Sequence, residues 1–107
     1  MTDHNNKIQE MQFLEQNLQN LLFQKQAFQM ELSETQAALK ELEKSGDEVF
    51  KIIGQLMIKA DKPKIKDELF NKEKVLSLRT KTIEKQESSL TEQLEKLREE
   101  LIEPKKK

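Results

Sequence analysis

Cysteine, tryptophan and tyrosine are absent from this 107-residue chain, and glycine and proline occur twice each. Without cysteine there is no disulfide, no thiolate nucleophile and no cysteine-type metal centre, a composition that fits a reducing cytosol. The single histidine, His4, falls in the expected fray of a helix end, which argues against a catalytic or metal-binding role. Gly46 and Gly54 are the only glycines, so no glycine-rich phosphate loop can be built, and no nucleophile stands beside a base in a recognisable arrangement. The expectation is a protein that is not an enzyme and takes no cofactor and no metal. Long apolar runs are also missing, so no membrane-spanning helix is expected. The start, Met1-Thr2-Asp3-His4, lacks the basic and apolar regions of a signal peptide. A net charge of −1 leaves no electrostatic footprint for nucleic acid. Residues 1–45 carry four Lys against seven Asp and Glu, and the remainder 15 basic against 13 acidic residues, an imbalance too small to name a partner.

What is present is charge, at 36% of residues, with few turn formers. Such a chain either stays disordered or forms long helices with narrow apolar seams, and its periodicity decides for helices. Residues 5–44 contain neither Gly nor Pro. Met11, Leu14, Leu18, Leu21, Phe28, Leu32, Leu39 and Leu42 follow the 3-4 spacing of a coiled-coil seam, with Lys25 and Thr35 as polar interruptions. Asp3 is the expected N-cap, and Ser45-Gly46 the expected stop, with Gly46 in the left-handed position. A second helix is predicted over 63–103, where Leu69, Leu76, Ile83, Leu90 and Leu97 recur every seven residues. Leu94 and Leu101 fill the alternate seam position late in this helix, and Glu73, Thr80 and Glu87 fill it earlier. Pro63 suits a first turn, with Asp61 or Lys62 ahead of it as cap. Pro104 is the expected end, leaving 104–107 as a short basic tail. Two helices of nearly equal length with a short link predict an antiparallel coiled-coil hairpin, within one domain over 1–107.

The link has another composition. Val49, Phe50, Ile52, Ile53, Leu56, Met57 and Ile58 surround Gly54-Gln55, which reads as a β-hairpin over 47–61 with a type II′ turn. A two-residue loop pairs Ile53 with Leu56, Lys51 with Ile58 and Val49 with Ala60, and puts Phe50 and Ile52 opposite Lys59 and Met57. Both faces are then largely apolar. An isolated two-stranded hairpin is marginal in water, and a narrow coiled coil covers only part of one face. The expectation is assembly with other chains into an oligomeric sheet or closed β-barrel. The alternative is a third short helix folded against the pair; the β-branched content and the central Gly-Gln favour strands.

The run Val49-Phe50-Lys51-Ile52-Ile53-Gly54-Gln55-Leu56-Met57-Ile58-Lys59 resembles the linker hairpin of β-class prefoldin subunits. The order helix, single hairpin, helix is similar to that class over nearly the whole chain, whereas α-class subunits carry two hairpins. Lys81-Thr82-Ile83-Glu84-Lys85-Gln86-Glu87 also resembles the family's second helix. The compact length is more similar to an archaeal β subunit than to a eukaryotic paralogue. The resemblance implies a cytoplasmic hexamer of two α-class and four β-class subunits on a pair of β-barrels. Its coiled-coil tips would capture unfolded clients and pass them to a group II chaperonin without ATP.

With the link at one end of an antiparallel hairpin, both termini lie at the other, so the candidate capture surface combines Ile8, Met11, Phe13 and Leu14 with Leu97, Leu101 and Ile102. Ile8, Phe13 and Ile102 fall outside the strict seam and are expected to stay partly open; Met11, Leu14, Leu97 and Leu101 also serve as seam residues. Several weak apolar grips held together would act multivalently. Leu22 and Phe23, beside the seam, are expected to broaden the buried stripe, the alternative being a lateral surface. Gln24, Gln26 and Gln29 read as a neutral solvated face, and Lys105-Lys106-Lys107 as a solubilising tail, the alternative being contact with an acidic chaperonin or client surface. The competing functional reading is a structural coiled-coil adaptor with inert tips. A nucleic-acid arm would need a Lys/Arg stripe, which the interspersed signs do not provide.

Overall fold

The computed structural model describes residues 2–102 of the chain. The elements run α1 (Thr2–Lys44), β1 (Glu48–Ile53), β2 (Leu56–Asp61), α2 (Lys62–Ile102). The fold is mainly helical, with two long helices joined through one small antiparallel β-hairpin. Glu103, Pro104 and the basic tail lie outside the described residues.

The helix ends differ from expectation in two instructive places. First, α1 already includes Thr2, so Asp3 sits in its first turn instead of ahead of it as a cap. There its carboxylate meets the positive end of the helix dipole. Second, Gly46 takes no left-handed conformation; among the described residues positive φ occurs only at Gly54. The stop is made by Ser45 instead. Its N–H donates to the carbonyls of Glu41 and Leu42 at 3.1 and 3.2 Å. Its hydroxyl donates to the Leu42 carbonyl at 2.8 Å, and the Lys62 ammonium donates to the Ser45 carbonyl at 2.8 Å. The orphan carbonyls of a helix C-terminus need such donors, and here the first residue of α2 supplies one. Asp61, the last residue of β2, directly precedes α2, and Pro63 falls in its first turn, where its missing N–H costs nothing.

The hairpin has the register expected for a two-residue loop: Ile53 pairs with Leu56, Ile52 with Met57, Lys51 with Ile58, Phe50 with Lys59 and Val49 with Ala60. Gly54 has φ 60°, and Gln55 does not take a positive φ. That combination belongs to a type II′ turn, which matches the twist of the strands and needs glycine at its first central position.

The chain forms two compact units, one of Met1–Ala27 with Thr80–Lys107 and the other of Phe28–Arg79. In the first, the terminal unit, Leu14, Leu94 and Leu97 are buried together, with Met11, Leu18 and Leu90 packed against them. Lys7 pairs with Glu100 at 3.1 Å and Lys25 with Glu87 at 2.8 Å, so the helices run antiparallel there. In the second, the hairpin unit, Thr35, Leu39, Leu42, Val49 and Leu76 are buried. Lys72 pairs with Glu31 at 3.6 Å, again with Lys62 reaching back to Ser45, which gives the same antiparallel sense. Burial of one leucine stabilises by roughly 1.5–3 kcal/mol. No side chain among the described residues is fully enclosed, as expected where two helices offer a single seam.

The polar seam positions are satisfied. The Thr35 hydroxyl, buried, donates to the Glu31 carbonyl one turn back at 2.8 Å. The Gln36 amide donates to Glu73 at 3.1 Å, and Lys25 to Glu87 at 2.8 Å. The hydrogen bond from Lys25 to Glu87 holds its ammonium pKa above the ordinary 10.5, against a smaller opposing effect of burial and with help from the charges of Glu87 and Glu84.

Candidate functional site

Two surfaces carry the functional questions, one in each unit. In the hairpin unit, Val49 is buried and Ala60 half-buried, but from there to the turn both faces are open. Phe50, Ile52, Ile53, Leu56, Met57 and Ile58 are all exposed, Ile52 to 70%. Strand alternation explains why. Lys51, Ile53, Leu56 and Ile58 share one face, while Phe50, Ile52, Met57 and Lys59 share the other. An apolar run without polar alternation must put side chains on both faces, and a two-stranded sheet has no second layer of its own. The sheet consists of β1 and β2 alone, so each has an outer edge unpaired within the described residues. Two exposed ion pairs flank it, Lys51–Glu68 at 3.2 Å and Lys59–Glu48 at 4.0 Å. Exposed pairs of this kind contribute little.

In the terminal unit, the seven residues expected to form a capture surface divide by depth. Leu14 and Leu97 are buried, in the same cluster that Met11 joins. Ile8, Met11 and Leu101 are half-buried. Phe13 and Ile102 stand open, at 65% and 69% exposure. The structure thus brings Met11, Leu14 and Leu97 into contact as core and leaves Phe13 and Ile102 presenting most of their apolar area to solvent.

Leu22 and Phe23 do not broaden the buried stripe; they are exposed to 37% and 60%. With Leu18 and Leu21 in the seam, Leu22 falls on its flank and Phe23 turns outward. Sequence reasoning also passed over Met30, Phe70, Val75 and Leu78, all exposed apolar residues of the hairpin unit. Counting in sevens would have found part of this set, because Phe23 and Met30 occupy the same outward heptad position. The Lys66 ammonium lies 6.0 Å from the ring centroid of the exposed Phe70, and the Arg79 guanidinium 5.9 Å from that of Phe28, a half-buried seam residue. Among the described residues no cluster of three or more His, Asp or Glu could hold a metal, and no helix is long and apolar enough to cross a membrane.

These features are shared with known proteins. A family profile described as "Prefoldin subunit" matches residues 5–107. The chain is 42% identical over 86 residues to the prefoldin subunit beta of Pyrobaculum islandicum, an alignment covering 78% of this chain and 69% of that protein. Against the prefoldin subunit beta of Methanothrix thermoacetophila it is 37% identical over 98 residues, covering 90% and 82% respectively. Its fold superimposes on the crystal structure of the prefoldin beta subunit from Thermococcus strain KS-1 with a TM-score of 0.85 at 33% identity, over 94% of this chain and 90% of that one. With two long helices around a single hairpin that is apolar on both faces, the chain belongs to the prefoldin subunit family and is of its β class.

Proposed function

We propose that this chain is the β-class subunit of a cytoplasmic, ATP-independent holdase that captures unfolded polypeptides and passes them to a group II chaperonin. Membership of a chaperone family supports the general reading. In this proposal the exposed hairpin residues Phe50, Ile52, Ile53, Leu56, Met57 and Ile58, with the buried Val49 beneath them, assemble with α-class subunits and other β copies. The product is a β-barrel-based hexamer of two α and four β chains. Client capture belongs to the terminal unit, through Ile8, Phe13 and Ile102 directly, with Met11 and Leu101 contributing their open portions. Leu14 and Leu97 act chiefly by holding the two helices together beneath that surface.

The observation that carries the capture reading is the exposure of Phe13 and Ile102 beside a satisfied core. Large apolar side chains that the helix pair does not use are the chemistry a non-native chain recognises. Each contact is weak, and several copies in one assembly raise the effective concentration of the grip.

The test follows light scattering as a chemically unfolded client is diluted into the assembled protein. Wild type is compared with a variant carrying Ile8→Ser, Phe13→Ser and Ile102→Ser, with the mass of both checked. Suppression of aggregation that weakens in the variant at unchanged mass supports capture through these residues. A correctly assembled wild type that does not suppress aggregation would favour a structural adaptor with inert tips.

A further inference from the structure

The two flanks of the terminal unit are chemically unlike. On one, an open groove of about 1080 Å³ is lined by Leu18 and Leu22 together with Glu15, Glu84, Glu87 and Glu92. On the other, a smaller groove of about 440 Å³ is lined by four amides and the Ser89 hydroxyl around Leu21 and Leu90, with no charged residue. The helix-pair geometry accounts for the separation. In an antiparallel pair, residues on one side of each seam face their counterparts across it. Here that sorts glutamates to one flank and Asn17, Gln24 and Gln86 to the other.

The acidic groove is only partly neutralised from within. Lys25 engages Glu87 at 2.8 Å and its charge also acts on Glu84, but no direct ion pair among the described residues reaches Glu15, Glu84 or Glu92. All three carboxylates are exposed, and Leu22 beside them is an apolar side chain the core does not use. The chain as a whole carries a net charge of only −1, so this is a local field and not a general one. The groove is open along its length, which suits a stretch of polypeptide lying across it.

We propose that this groove is a lateral client subsite for apolar segments bearing Lys or Arg, whose aliphatic side chains cover Leu18 and Leu22 while their cations meet Glu15, Glu84 and Glu92. This deepens the reading of the chain as a holdase and rests on it. It assigns to the flank a preference that Phe13 and Ile102, having no charge, cannot supply. Such a segment is apolar on one side and basic on the other, so the groove complements it twice. The amide-lined flank complements it once, through Leu21 and Leu90 alone.

The test uses the full chain assembled with an α-class subunit. The probe is a fluorescent peptide of about 15 residues, roughly four helical turns, with Leu and Lys at helical spacing. Its counterpart has Glu in place of every Lys. Wild type is expected to bind the basic peptide about tenfold more tightly than the acidic one at low salt, the size two or three exposed ion pairs produce. The preference should shrink as salt is added. Combining Glu15→Gln, Glu84→Gln and Glu92→Gln should abolish most of it. The same charge change made with Glu10→Gln, Glu95→Gln and Glu99→Gln, none of which lines the groove, should leave it. A photo-crosslinker at Gln19, on the acidic groove, should capture the basic peptide, and one at Gln24, on the other flank, should not. Equal affinity for the two peptides, equal loss in both triple variants, or crosslinking from Gln24 instead of Gln19 would each overturn the proposal. The Ile8, Phe13 and Ile102 serine variant separates the two readings: it should weaken both peptides alike and leave their ratio intact. Unchanged aggregation suppression by that variant would count against the tips alone, because the peptide ratio reads the groove by itself.

Discussion

The hairpin and the terminal unit are built from similar apolar residues and handle them in opposite ways. In the terminal unit a 3-4 spacing directs leucines to one side of each helix, so Leu14, Leu94 and Leu97 close over one another. In the hairpin the side chains alternate, so a continuous apolar run is divided between two faces and six large side chains stay open. The difference follows from periodicity, not composition. A helix can gather its apolar residues on one stripe and leave the rest charged. A two-stranded ribbon with both faces apolar cannot be completed by its own chain. The first arrangement gives a satisfied core with residual apolar patches. The second calls for other chains.

Substitutions can break or sharpen this contrast. The largest loss of stability is expected from Leu94→Ala, which empties a buried position in the terminal cluster. A cost of about 2–4 kcal/mol, read from denaturant unfolding, matches the general behaviour of such truncations. Ile52→Ala in the hairpin, 70% exposed in the single chain, should cost far less in any unassembled form, and an equal cost there would erase the distinction.

Next comes the turn. Gly54→Ala meets no atom within 4 Å, yet it forces a side chain into a left-handed backbone conformation at φ 60°. The expected cost is about 1–2 kcal/mol, confined to the hairpin and visible as faster amide exchange in β1 and β2 with α1 and α2 unaffected. Gly46→Ala has equal room and no positive φ. It should be neutral or stabilise by up to about 1 kcal/mol, which separates backbone strain from steric fit.

A subtler effect is expected at Lys25. Its pKa is raised in the folded chain, so its contribution is fully present below the unfolded value and is lost as pH rises through the higher folded one. The stability difference between wild type and Lys25→Met should therefore be constant from neutral pH to about pH 10 and fall away only above 10.5. Thermal unfolding across alkaline pH measures it. A difference that vanished near neutrality would mean the hydrogen bond to Glu87 is not the cause. The smallest stability effect belongs to Phe13→Ser, an exposed position where about 0.5 kcal/mol or less is expected.

Much of this was legible in the sequence because it rests on period and on turn chemistry. The seam residues from Met11 to Leu42 and from Leu69 to Leu101 are all buried or half-buried, Lys25 and Thr35 included. The strand register followed from Gly54-Gln55, because a two-residue loop leaves one pairing. What escaped depended on contacts between residues far apart in sequence. The α1 stop looked like a glycine cap, but Lys62 completes it from the start of the other helix. Leu22 and Phe23 looked like extensions of the stripe because they are apolar and adjacent, whereas width is set by how much of a helix its partner can cover. The opposed flanks were hidden for the same reason: Glu15 and Glu84 are 69 residues apart in the chain and meet only on the folded pair.

The most direct test of the central claim, that the open hairpin is the assembly element, is the mass of the chain mixed with an α-class subunit, measured by light scattering. Wild type is compared with a variant carrying Ile52→Asp and Ile58→Asp, one charge on each face of the ribbon. The account predicts that the variant falls to the mass of free subunits while far-UV circular dichroism shows most of its helix retained. A variant that keeps the wild-type mass would contradict it.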